Sequence, residues 1–329
     1  MPSNTSNNLT VDSLLRPISW NDYVGQEKIK RNLRIIIDAA KKRSEACDHL
    51  LFYGQAGLGK TTLAHLVASD LNCHLKITSG PALEKMADLA AVLSNLEESD
   101  VLFIDEAHRL NRTIEEVLYP AMESRKLHLV VGKGPLARTV ALDLPAFTVI
   151  AATTRPHFLS GPLRSRFGAS FKLDFYEVTD IEAILKRSAK LLKMKIDETA
   201  VTALAGAARF TPRVANRLLK RVRDYAQVNN APLVTKEIVS QTLALLEIDE
   251  RGLELTDRRL LEIIITKFNG GPVGINSLAA ALNDDTGNIE DVYEPYLLSI
   301  SFLMRTAAGR LATAAAYQHL GLKPPARLL

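Results

Sequence analysis

Gly54-Gln55-Ala56-Gly57-Leu58-Gly59-Lys60-Thr61 reads as G-x-x-x-x-G-K-T, a motif that commits the chain around it to one local architecture. Residues 49–53 before it form an apolar run that fits a buried strand. Leu63, Ala64, Leu66, Val67 and Leu71 after it recur at helical spacing. Strand, glycine loop and helix together make a phosphate cradle. Glycines admit phosphate oxygens where a Cβ would stand in the way. Loop N–H groups and the helix N-terminus present positive dipole ends. Lys60 brings a mobile charge to the β- and γ-phosphates, and Thr61 a hydroxyl for Mg²⁺. A glycine turn with no ligand is the bland alternative. The presence of strand, loop, Lys-Thr pair and helix together weighs against it.

A second strand, Val101-Leu102-Phe103-Ile104, ends in Asp105-Glu106. Four apolar residues suit a parallel strand buried on both faces. Two carboxylates at its C-terminal end lie where open α/β sheets bind ligands. Asp105 can hold Mg²⁺, directly or through water, and Glu106 can act as base toward the attacking water. His108 follows and is assigned no chemistry, since a lone histidine there is more often structural. Residues 147–152 form another apolar run, ending in Thr153-Thr154-Arg155. A hydroxyl at that edge can bond the γ-phosphate or the water. Residues 127–131 and 139–142 read as hairpin arms around Gly132-Lys133-Gly134-Pro135.

The 329 residues suggest two or three domains. No apolar run approaches the roughly 20 residues that a membrane helix needs. The first ten residues are Ser/Asn-rich and lack an apolar signal core. Cys47 and Cys73 make neither a metal motif nor a disulfide framework, which fits a reducing cytoplasm. The net charge of +4 permits a polyanionic partner without demanding one.

After Tyr176 strand patterns give way to helices. Residues 181–192, 199–207, 212–227 and 236–246 fit helical periodicity. Thr211 reads as an N-cap, Pro212 as a first-turn residue, and Arg213 as a helix-start residue poised toward whatever packs there, or else solvated. Residues 257–268, 275–282 and 287–293 read as three further helices. Residues 297–303, a turn over 305–310, and 311–313 then read as strand–turn–strand. That layout is a winged helix, a module that often binds DNA. Arg305 and Arg310 flank the wing, where they are expected to contact phosphates without reading sequence. A protein-binding winged helix with two surface arginines is the alternative. The expected fold class is an α/β P-loop domain with a parallel sheet flanked by helices (residues 1–176), a small all-α lid (177–247) and a winged-helix domain (248–329).

With these motifs in order, the chain resembles the AAA+ ATPases. More closely it resembles the RuvB family, the bacterial motors of Holliday-junction branch migration. Tyr53-Gly54, Gly57 through His65, Leu75 through Pro81, Asp100 through Glu106, His108 through Arg112 and Leu118 through Glu123 carry the likeness. So do Asn216 through Leu219, Arg221 through Asp224, Gly270 through Gly274 and Val292 through Leu297. The resemblance implies ATP and Mg²⁺ as cofactors, with ATP between the large domain and the lid. Arg16 and Tyr176 would line the adenine pocket. Gly57, Gly59, Lys60, Thr61 and Thr62 would hold phosphate and Mg²⁺, with Asp105 contributing to the metal. Glu123, Ser124 and Arg125 would belong to the nucleotide site. Thr154, or Thr153, would be sensor 1, Arg213 sensor 2, and Arg166, in preference to Arg164, the arginine finger. Arg305 and Arg310 would touch double-stranded DNA. The hairpin near Gly132 would dock on RuvA, with a homo-hexameric ring on the junction and RuvC resolving it afterwards, in the cytoplasm and without a membrane.

Several positions depart from the pattern. Gln55-Ala56 replaces Pro-Pro, for which a more flexible loop is expected. Ala107 replaces a common Ile, and Ala151 a Gly. Phe210 replaces a Gly before Thr211, which is expected to strain the start of that helix. Ala308 replaces an Arg in the wing, removing one phosphate contact. Two rival readings are an initiator-type AAA+ switch on DNA and a clamp-loader-like subunit; residues 257–313 argue against the second.

Overall fold

The first unit begins with helices α1 (Val11–Leu15) and α2 (Glu27–Arg43). Ile29, Leu33, Ile37 and Ala40 of α2 are buried at helical spacing, and Lys41, Lys42 and Arg43 fall at the negative end of its dipole. Next come β1 (Leu50–Tyr53), α3 (Lys60–Leu71), β2 (Leu75–Ser79), α4 (Met86–Ser94) and β3 (Val101–Asp105). Helix α5 (Arg112–Ser124), absent from the patterns above, carries Pro120 in its interior. The unit is completed by β4 (Lys126–Val131), β5 (Arg138–Asp143), β6 (Thr148–Thr153), α6 (Gly161–Ser165) and β7 (Ala169–Lys172). The computed structural model describes residues 11–131 and 138–325, in two units, Met1–Tyr176 and Glu177–Leu329.

Five strands form one parallel sheet in the order β2-β3-β6-β1-β7. The three central strands are buried on both faces, which is why they read as apolar runs rather than alternating ones. Their common carboxyl edge brings together the loop after β1, Asp105 at the end of β3 and Thr153 at the end of β6. Register fixes this edge: Tyr53 pairs with Thr153, and Ile104 with Ala151. β4 and β5 form a separate antiparallel ribbon, from Lys126 opposite Asp143 to Val131 opposite Arg138. Its turn, with Gly132, lies outside the described residues, as do Met1–Thr10 and Arg327.

The second unit starts with four helices: α7 (Val178–Leu191), α8 (Glu198–Ala207), α9 (Pro212–Val228) and α10 (Lys236–Leu245). Thr211 is the residue before α9, as expected, but its hydroxyl donates to the Ala208 carbonyl (3.4 Å) instead of capping the helix. Then follow α11 (Leu255–Lys267), α12 (Ile275–Leu282) and α13 (Thr286–Asn288). α13 runs through one π-helical turn (Ile289–Tyr293) into α14 (Glu294–Ser299). β8 (Leu303–Thr306), β9 (Gly309–Ala312) and α15 (Ala314–His319) close the unit. The strand expected over 297–303 is corrected: Pro295 sits in the first turn of α14, where its fixed φ suits a helix, and the strand begins only at Leu303. Leu253, Leu260, Ile264, Leu278, Leu297 and Tyr317 are among the residues of one apolar core beneath the wing. Among the described residues no helix is long and apolar enough to cross a membrane.

Candidate nucleotide site and wing

The loop after β1 is built for close approach. Gly54, Gly57 and Gly59 have φ of 142°, 83° and 99°, a region costly for residues with a Cβ. A Cβ on Gly54 would lie 2.4 Å from the Leu173 carbonyl oxygen, and one on Gly59 2.7 Å from the Tyr23 hydroxyl. Gly59 is the residue before α3, so Lys60, Thr61 and Thr62 occupy its first turn, where N–H groups are unpaired within the helix. Buried Lys60 curls back, its ammonium donating to the Gly54 and Gln55 carbonyls at 2.8 Å each. Carbonyls that hold an ammonium this closely release it readily to a stronger, anionic acceptor. These features fit a polyphosphate.

Two phenols brace the loop. The Tyr176 hydroxyl donates to the Leu58 carbonyl at 3.1 Å and lies 3.1 Å from the Tyr23 hydroxyl. Burial, and then the neighbouring Tyr176, push the Tyr23 phenol well above its ordinary range, so it stays protonated. Tyr176 is therefore placed at the loop, and its hydroxyl faces Leu58. Arg16 hydrogen-bonds the His65 ring on α3 (2.5 Å). Burial first, and Arg16 second, hold His65 below the usual histidine range, so the neutral ring accepts from the guanidinium.

At the neighbouring strand end, the Asp105 carboxylate accepts from the Glu106 N–H at 2.9 Å. Glu106 stands in the left-handed region (φ 48°), and Gly80 makes room for it: a Cβ there would be 2.4 Å from the Glu106 carbonyl oxygen. The Glu106 side chain is exposed and meets Arg109 only at 3.4 Å. Such an exposed pair is weak, leaving the carboxylate available to a water.

The two threonines separate cleanly. Thr153 is fully buried; its hydroxyl accepts from the Arg155 N–H (3.0 Å) and bonds His108 Nδ1 (3.1 Å). Both of these bonds are made inside the protein. Thr154, one residue past β6, is half-buried at the open edge. His108, given no chemistry above, thus ties the turn bearing Glu106 to the end of β6. The sequence signal that could have found it is its place two residues after the acidic pair.

Arg166 folds against its own unit. Its guanidinium pairs with Glu123 (2.9 Å), donates to the Pro162 carbonyl (2.6 Å) and covers the Tyr119 ring at 4.4 Å. Its buried Nε has no hydrogen-bond partner. Arg164 is exposed. Ser124 closes α5 by bonding the Pro120 carbonyl (2.9 Å), and Arg125 follows in a left-handed cap. Arg213 is exposed in the first turn of α9.

Arg305 and Arg310 flank the wing, as expected, and lie directly opposite one another in the β8–β9 ladder. Like charges in such a pair repel unless compensated. Glu290 and Glu294 compensate them: Arg310 bonds both, and Arg305 bonds both, at 2.9–3.4 Å. Arg310 is 8% exposed and held on the two glutamates. Arg305 remains half-exposed.

Comparison with known proteins follows the same three parts. The family model for the Holliday junction DNA helicase RuvB P-loop domain matches residues 15–173. The RuvB AAA lid domain matches 176–249, and the RuvB C-terminal winged helix domain 250–321. The solved Thermotoga maritima RuvB Holliday junction branch migration motor is similar with a TM-score of 0.87 and 46% identity, covering 95% of this chain and 100% of that one. A point variant of that protein gives 0.86 and 46% over 95% and 100%. The chain therefore belongs to the RuvB family, the P-loop AAA+ ATPases that drive Holliday-junction branch migration.

Proposed function

We propose that this chain works as a homo-hexameric ring with RuvA on the Holliday junction, in the cytoplasm, handing the junction to RuvC. The observation that supports the site assignment is the left-handed glycine loop, packed so tightly on Leu173 and Tyr23 that Gly54 and Gly59 admit no Cβ, set on the same sheet edge as Asp105. Lys60 leaves the loop carbonyls for the β- and γ-phosphates, and Gly57, Gly59 and Thr62 line the phosphates. Thr61 and Asp105 are the donors for Mg²⁺, a hydroxyl and a carboxylate as this hard cation prefers. When bound, Mg²⁺ neutralises charge building on the phosphate oxygens. Glu106 takes the proton of the attacking water, and Thr154 orients that water. Arg16 and Tyr176 border the base, and Glu123, Ser124 and Arg125 complete the nucleotide site. Arg166 leaves Glu123 to serve a neighbouring subunit, where its charge stabilises the spreading negative charge. Arg213 senses the γ-phosphate from the lid. Arg305 contacts the DNA backbone, with Arg310 as the support beneath it.

The assignment of the base is tested by Glu106→Gln, which keeps shape and removes basicity. Turnover should fall about 10²- to 10⁴-fold with nucleotide binding intact. Wild-type turnover in this variant would show that another group is the base.

A further inference from the structure

Arg209 and Phe210, immediately before Thr211-Pro212-Arg213, both take left-handed backbone, with φ of 52° and 54°. Residues with a Cβ persist there only where their surroundings hold them. Here the surroundings belong to the winged helix. The Arg209 guanidinium forks onto Asp257 of α11 at 3.0 and 3.3 Å and donates to the Val292 carbonyl at 3.3 Å. Its face covers the Tyr296 ring of α14 at 4.6 Å. Asp257 is fully buried, and the Arg209 side chain is 11% exposed. Burial pushes the Asp257 carboxyl up, and Arg209 is the main influence holding it down. Phe210 packs on the same Tyr296, ring centres 5.9 Å apart, and against the winged-helix core. The Tyr296 hydroxyl in turn bonds the Arg251 carbonyl in the connection between the two parts. In that connection Gly252 abuts the end of α8, where a Cβ would lie 2.4 Å from the Ala207 carbonyl oxygen.

All these contacts converge on the short loop that starts the helix bearing Arg213. A buried, bidentate and stacked arginine has one geometry, and a lysine cannot reproduce it. We propose that Arg209, seated on Asp257 and Tyr296 with Phe210 wedged beside it, is the positioning residue that couples the Arg213 helix to the winged helix, so that a shift at the nucleotide becomes a displacement of DNA. This rests on the function proposed above. It also gives the strained Phe210 a use: the ring that replaces glycine binds the two parts more firmly.

The test uses the full chain with RuvA and a synthetic four-way junction, measuring ATP hydrolysis and branch migration in the same reactions. Wild-type turnover on junction DNA checks the underlying reading by itself. Arg209→Lys should keep turnover and the KM for ATP within about twofold, while migration per ATP falls about tenfold, the scale of coupling changes along a packed network. Phe210→Gly relieves the backbone and spares the ion pair; it keeps the protein folded if the lysine variant does not. It should lower migration per ATP about threefold. Migration per ATP at the wild-type value in Phe210→Gly, or turnover and migration falling in parallel in Arg209→Lys, would overturn the proposal and leave the cluster a packing contact.

Discussion

Glu106, the proposed base, stands on a backbone that glutamate adopts reluctantly. Its φ of 48° is held by the Asp105 carboxylate on its N–H and by the absence of a Cβ at Gly80. His108 then pins this turn to Thr153, whose buried hydroxyl is engaged with His108 and the Arg155 N–H. Loss of His108 should let the base and Thr154 drift apart. His108→Ala is expected to lower kcat about 10- to 100-fold, the cost of a misplacement near 1 Å, with KM for ATP little changed. His108→Asn, whose Oδ1 can stand in for Nδ1, should recover much of it. A steady-state ATPase comparison decides, and an unchanged kcat in His108→Ala would remove His108 from the machinery. His49 fixes the sheet by similar means: Nδ1 accepts from the Val149 N–H (2.8 Å) and Nε2 bonds the Met122 carbonyl (3.1 Å). Burial holds its pKa below the ordinary value of 6.5. The unfolded chain therefore takes up the proton first as pH falls. This contribution to stability is complete above that value and is lost below it. Thermal melts from pH 7.5 to 5.5 should show a falling midpoint, and His49→Gln should flatten the fall. At this scale the sequence offered residue types in the right neighbourhoods. It could not choose between Thr153 and Thr154, because that choice depends on which hydroxyl is already bonded.

Among the elements, the central strands were legible because burial on both faces leaves an unbroken apolar run. The wing was not. Residues 297–303 mix leucine, isoleucine and serine in a way that serves helix or strand, and only the packing of α14 against β8 settles the strand start at Leu303. Nor does sequence spacing show that Arg305 and Arg310 face two glutamates. Two arginines and two glutamates make a cluster of no net charge, and the turn residues Ala307 and Ala308 add none. The wing's arginines are thus expected to hold phosphate more weakly than their number suggests. Ala308→Arg should tighten binding to linear duplex and steepen the slope of log K against log salt by about 0.9, one added phosphate contact. Glu290→Gln, which frees charge on Arg305, should act in the same direction. Fluorescence anisotropy across a salt series reads both. Slopes equal to wild type in the two variants would mean that the wing does not meet the backbone.

At the scale of the whole molecule, the three-part order was readable from the change of periodicity after Tyr176 and the wing-like segment near the C-terminus. The proposed ring assembly and RuvA contact were not, since each would depend on surfaces meeting other chains. Within the second unit, Arg209 and Phe210 are the proposed link between the Arg213 helix and the winged helix, beside the Arg217–Glu254 pair (2.7 Å). The most direct check on the whole account is ATP hydrolysis by the purified chain, with and without duplex DNA and RuvA, alongside dissociation of a synthetic four-way junction. DNA-stimulated turnover with RuvA-dependent loss of the junction is the predicted result. Tight nucleotide binding with negligible turnover in every condition would contradict it and favour a nucleotide-switched DNA-binding protein.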